Sequence, residues 1–170
     1  MVLVCNSADL MQQLRYAERS SAGAWSVIST VPSNPGWYVS SAPSLAVSGT
    51  GVMQLAVQMA RPFNPFDGGT WVISWVRGGS PEWTPWMTPG PKAGAQFSAT
   101  QKPVLMVNSA VDAAMNTMRL LVALKSDGFP EYSVGTGTAG SQAVTWGAWT
   151  TLSTPCGGSS VTQLAAPQCK

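Results

Sequence analysis

Apolar residues in this chain come in short runs broken by polar turns, and no run carries the 3.6-residue stripe of an amphipathic helix. The most apolar runs are VLVCNSADL from Val2, VMQLAVQMA around Leu55 and MRLLVALKS around Leu120. Each is followed by a stretch with an aromatic: LRYAERS at Tyr16, WVISWVRGG at Trp71 and Trp75, and PEYSVGTG at Tyr132. The second and third are preceded by a P-x-L stretch, SAPSLAV with Pro43 and Leu45 and QKPVLMV with Pro103 and Leu105. Each set closes on a Trp phrase: GAWSVISTVP around Trp25, PEWTPWMTPGP around Trp83 and GAWTTLSTP around Trp149. Short runs rich in β-branched and aromatic residues, punctuated by Gly, Pro, Asn, Asp and Ser, predict strands. The predicted order is a P-x-L strand, an apolar strand, an aromatic strand and a Trp strand.

The turns fit that order. Asp67-Gly68 and Asp127-Gly128 fall where the apolar strand must turn back into the aromatic one, and Asp-Gly suits a tight hairpin. Gly49-Thr50-Gly51 marks another turn. Ser109 to Met118 holds Ala and Met without a clear stripe, and reads as an elaborated turn with at most one helical turn.

The set returns at intervals of roughly 60 residues, the scale of an array of supersecondary units. Four short antiparallel strands per unit describe a β-propeller blade. The expected fold is therefore all-β, one repeat domain over 1–170, with about three four-stranded blades. One blade spans 41–90 and one spans 101–155; a third is shared between the termini, 1–30 and 157–170. There Ser159 to Gln168, similar in composition to SAPSLAV, supplies the first strand beside Val2 to Asn6. Three blades cannot close a ring, since propellers take about four to eight. Oligomerisation must complete it, most simply as a six-bladed dimer.

Composition narrows the function. Hydrophobic content of 45% suits a globular domain, but charged residues make up only 9%, against the usual ~25%. A net charge of +2 with scattered basic residues offers no nucleic-acid footprint. No apolar run approaches the ~20 residues that cross a bilayer as a helix, so no membrane insertion is expected. MVLVC is too short for a signal peptide, so the chain reads as soluble, with an extracellular location needing another route or a removed leader. Cys5, Cys156 and Cys169 allow three single-disulfide pairings or none. With no His and no C-x-x-C pair, neither a metal site nor a cofactor is expected.

Catalytic chemistry is poorly supplied. The absence of His removes the commonest general base. Of the seven carboxylates, Asp9, Asp67 and Asp127 sit at strand-joining turns, where turn chemistry accounts for them. Glu82 and Glu131 precede Trp83 and Tyr132, but make no visible constellation with a nucleophile. Asp67-Gly68-Gly69-Thr70-Trp71 resembles the turn of an Asp box without its remainder, and reads as a hairpin. No enzyme is expected.

The aromatics are the asset. Eight Trp is a high number for 170 residues. Trp25, Trp83 and Trp149 recur and suit packing between blades. Trp37, Trp75, Trp86 and Trp146 do not recur in every set, so packing symmetry does not require them. An indole stacks on the apolar face of a sugar while polar neighbours bond its hydroxyls. Arg77 and Glu82 flank the turn between Trp75 and Trp83, as Arg15, Glu18 and Arg19 do before Trp25. For this group ligand contact and surface packing both stand.

The P-x-L strand, the D-G hairpin, the aromatic strand and a G-x-W-x-x-[WIL] phrase together resemble the blades of bacterial and fungal propeller lectins. Gly23-Ala24-Trp25 with Ile28 and Gly147-Ala148-Trp149 with Leu152 meet that phrase; Trp83 and Trp86 fit it with Pro81 in place of Gly. Photorhabdus-type lectins, which bind fucose and methylated sugars, are the most similar. The resemblance implies a multivalent glycan-binding homo-oligomer with Trp-lined pockets between blades. It adds Trp83, Trp86, Tyr132, Trp146 and Trp149 to Trp75, Arg77 and Glu82 as ligand-binding candidates. Irregular insertions at 61–66 and 108–116 depart from the lectin pattern. A structural or assembly protein of a virion, phage or scaffold is the alternative, with the Trp residues serving packing.

Overall fold

The computed structural model describes residues 2–6, 13–89, 101–107, 116–124, 129–138 and 140–152. Among them there is no helix, and the strands form antiparallel sheets. The first sheet joins β1 (Val2–Asn6), β2 (Gln13–Ala17) and β3 (Ser29–Thr30) in chain order. The second holds β4 (Tyr38–Val39), β5 (Ser44–Val47), β6 (Met53–Arg61) and β7 (Asn64–Trp75). β4 and β5 follow one another along one edge of β6, and β7 runs along the other. The 83–87 stretch then bridges to the far side of β7 through Trp75–Trp83 and Val72–Met87. The third sheet repeats that sequence of neighbours: β8 (Val104–Val107), β9 (Asn116–Leu124), β10 (Pro130–Thr138), then β11 (Thr145–Trp146) and β12 (Thr150–Thr151), both on β10.

The predicted order of P-x-L, apolar, aromatic and Trp strands is thus the order of neighbours in the second and third sheets. Two turn assignments differ. The β6–β7 hairpin turns at Pro62-Phe63, and Asp67-Gly68 lies inside β7, with Gly68 opposite Ala60. β7 begins ahead of its aromatic stretch because Gly68 and Gly69 find partners in Ala60 and Met59. At the other end, 116–118 are strand, not turn. Gly49-Thr50-Gly51 does turn, with Gly51 at φ 83° donating to the Ser48 carbonyl at 2.9 Å. Asp127-Gly128, the proposed closing strand 159–168, Cys156 and Cys169 lie outside the described residues.

β6 is buried from Met53 to Ala60, on both faces. Side chains alternate across a strand, so each face serves a different layer. Leu55, Val57 and Met59, with Ile73 of β7, meet Leu14 of β2, Val31 just after β3, and Val39. Ala56 and Val72 point the other way and meet Leu105 and Leu121 of the third sheet. The second sheet is the middle layer, and its two faces differ in chemistry. Beside Ala56 and Val72 stand buried cross-strand pairs: Gln54 Nε2 donates to Ser74 Oγ at 3.0 Å, and Gln58 Nε2 to Thr70 Oγ1 at 3.0 Å. Both amide nitrogens are bonded, and the Gln58 Oε1 also accepts from Thr70 Oγ1 at 3.2 Å, which offsets the cost of burying them. The Leu105 amide adds a link between layers, donating to Ser44 Oγ at 3.0 Å.

Candidate functional site

The eight candidate residues do not converge on one pocket. Trp75 is 6% exposed and belongs to an aromatic triad, its ring 6.3 Å from both Tyr16 and Trp83. Trp83 meets Tyr16 edge-on at 5.3 Å. Arg77 is exposed and ion-paired with Glu18. Glu82 holds its own turn, its carboxylate accepting from the Gly78 amide at 3.1 Å and its carbonyl from Val76 N at 3.0 Å. Tyr132 is half-buried on β10, opposite Thr150. Trp146 and Trp149 pack against the cluster of Ala56, Val72, Leu105 and Leu121. Gly135 admits Trp146: a Cβ there would lie 2.8 Å from Trp146 Cε3.

Strand register corrects the alignment of the Trp phrases. Trp83 lies opposite Trp75 and Met87 opposite Val72; Trp25 lies opposite Arg19 and Ser29 opposite Tyr16. In the third sheet it is Trp146, opposite Gly135, that holds this place, while Thr150 lies opposite Tyr132. Trp146 therefore matches Trp25 and Trp83, and Trp149 matches Trp86 and Ile28. The repeated Gly-Ala-Trp text had suggested Trp149; the ladder pairs strands by hydrogen bonds, and puts that phrase three residues later than its look-alike at Trp25.

Two concavities stand out. A depression of about 330 Å³ is lined by Glu18, Arg19, Val47, Gly51, Met53, Trp75 and Arg77. Its charges are engaged with one another and with neighbours: Arg77 with Glu18, and Arg19 with the Gly23 carbonyl at 3.2 Å and the Trp25 ring at 5.9 Å.

The second is a cleft of about 190 Å³ between the first two sheets, lined by Trp37 and Trp86, a floor of Leu14, Val31, Val39 and Met59, and Gln13, Pro32, Ser33, Asn34 and Pro35. Its indoles are held by neighbours in and around the lining. Trp86 Nε1 donates to the Pro32 carbonyl at 2.7 Å. Trp37 packs on Trp71 with ring centroids 5.0 Å apart, and the Arg61 guanidinium lies 5.0 Å from its centroid. Trp37 is delivered by a turn in which its amide donates to the Asn34 carbonyl at 3.1 Å and Gly36 has φ 79°. Pro at the second position and a positive-φ Gly at the third are what a type II turn requires. The volume falls below the ~300–1,000 Å³ of drug-sized sites and suits a single ring-sized ligand.

Of the candidates only Trp86 lines this cleft. Trp37 was singled out in sequence as a non-recurring Trp, but the Val31 to Pro35 wall was not. The available signal was Asn34-Pro35-Gly36-Trp37, a turn quartet ending on an indole. Among the described residues no group of His, Cys, Asp and Glu is placed to hold a metal ion, and no helix is long and apolar enough to cross a membrane. Compared with known proteins, the chain matches no family model, and no curated protein matches it.

Proposed function

We propose that this chain is a non-catalytic glycan-binding module, and that its site is the cleft between the first two sheets. The observation that carries the reading is the meeting there of two braced indoles, Trp37 and Trp86, with the amides of Gln13 and Asn34 and the hydroxyl of Ser33. An apolar wall with a few placed polar groups is what a sugar ring needs: one face to stack and several hydroxyls to bond. The lining holds no ionisable side chain, which favours a neutral sugar; the resemblance to propeller lectins points to a fucose-like or methylated one. In this reading the second and third sheets are propeller blades, the first is a third blade, and association of chains closes the ring. Weak single sites then gain avidity from multiplicity.

The test is a glycan array on the intact assembly, followed by Asn34→Ala. We expect selective binding competed by free monosaccharide, and an Asn34→Ala variant that loses at least tenfold in affinity, the equivalent of about 1.4 kcal/mol, at an unchanged melting temperature. A folded protein blank on the array rejects the glycan reading. The exposed Trp25, Val27 and Ile28 would then favour a structural assembly protein.

A further inference from the structure

In the second and third sheets the Trp strand packs on a cluster that takes residues from the layer before it as well as from its own. Trp83 and Trp86 pack against the cluster that includes Leu14 of β2 and Val31 just after β3, and Trp83 rests edge-on against Tyr16 of β2. Trp146 and Trp149 pack against the cluster that includes Ala56 and Val72 of the second sheet. The register makes these equivalent seats, because Tyr16, Val72 and Tyr132 occupy one position and Trp25, Trp83 and Trp146 another.

The first sheet breaks the pattern. Trp25 is 52% exposed, Val27 87% and Ile28 59%, whereas Trp83, Trp86, Trp146 and Trp149 are all half-buried. Three large apolar side chains within four residues, all left in water, mark an interaction surface. Arg19 covers only one side of the Trp25 ring. No charged side chain lies between Ala24 and Val39, so the row offers a partner shape and apolar area rather than charge.

We propose that Trp25, Val27 and Ile28 form the seam on which a second copy of this chain docks, with Trp25 seated against Tyr132 of the partner subunit. The occupant follows from the two seats already filled within one chain. In the second and third sheets the Trp strand packs on a cluster shared with the sheet before it, and among the described residues the sheet that no other follows is the third. Its residue at the seat position is Tyr132, half-buried, and the chain already pairs Trp with Tyr at the equivalent Trp83–Tyr16 contact. The seam rests on the reading of the sheets as consecutive blades, and not on glycan binding.

The test is light scattering on the full chain at micromolar concentration. The wild type should run at a multiple of 17.8 kDa. The double variant Trp25→Gln/Ile28→Lys should fall to the single-chain mass with an unchanged far-ultraviolet spectrum, since both side chains are exposed. Tyr132→Ala should weaken assembly, and adding Trp25→Gln to it should cost less than Trp25→Gln costs alone, as expected for residues in contact. A wild type that runs as a single chain, a double variant that keeps the wild-type mass, or strictly additive effects of the pair would each overturn the proposal. Sugar-induced Trp fluorescence, read on the single-chain variant, reports the Trp37–Trp86 cleft separately; its loss from a variant and wild type of the expected masses rejects the glycan reading and leaves the seam standing.

Discussion

Gly36 shows how a single backbone angle aims a functional side chain. Its φ of 79° lies where L side chains are strained, yet nothing stands within 4 Å of where its Cβ would be. Substitution there costs backbone energy alone. Gly36→Ala should lower stability by about 1 kcal/mol, read as a reduced denaturant midpoint at constant slope, and should weaken ligand binding through a displaced Trp37. An unchanged midpoint would mean that the turn relaxes freely and does not fix the indole. Gly135 is the opposite case. It is constrained by space, because a Cβ would meet Trp146 Cε3 at 2.8 Å and Val144 Cγ1 at 2.8 Å. Gly135→Ala should cost about 1–3 kcal/mol as overpacking and shift the Trp146 emission, whereas a variant with wild-type stability and emission would show that Trp146 is not held there.

At the scale of elements, the β6–β7 hairpin joins a fully buried strand to an exposed tip. Leu55→Ala empties a site with no exposure, between Leu45 and Ile73 in the ladder, and should cost about 2–5 kcal/mol. Phe63→Ser, at a fully exposed tip, should stay within about 0.5 kcal/mol. Equal losses in the two unfolding curves would contradict the central place of β6. This contrast was partly legible in sequence. Leu55 sits in a run whose every residue must be buried on one face or the other, so the strand could be read without knowing its neighbours. The hairpin tip could not, because Asp67-Gly68 is good turn chemistry and only the pairing of Ala60 with Gly68 shows that the strand runs on past it. The Trp register failed for a related reason. Gly23-Ala24-Trp25 and Gly147-Ala148-Trp149 are alike as text, but cross-strand partners decide equivalence, and Gly135 makes room for Trp146. The cleft was hardest to read: its wall comes from β2, the 31–35 connection, β6 and the Trp86 strand, which no local pattern brings together.

For the whole molecule, the sparse charge makes the two concavities separable in solution. The Trp37–Trp86 cleft is lined by no group that titrates, and the chain has no His. The depression beside Trp75 is lined by Glu18, Arg19 and Arg77. A ligand held by stacking and by neutral amides gains nothing from ionisation and little from screening. Its affinity should therefore be flat across roughly pH 5 to 8, the range in which an unperturbed His would switch. It should also be insensitive to salt as the Debye length falls from about 10 Å at 0.1 M to about 3 Å at 1 M. A ligand in the charged depression behaves otherwise, since exposed guanidinium groups lose their reach as salt rises. Isothermal titration with a neutral monosaccharide and with an acidic one, each at low and high salt, decides between them. A salt-independent Kd that Asn34→Ala abolishes places the sugar between Trp37 and Trp86. A Kd that weakens steeply with salt and responds to Arg77→Ala moves the site to the depression, and with it the ligand class from neutral sugars to acidic ones.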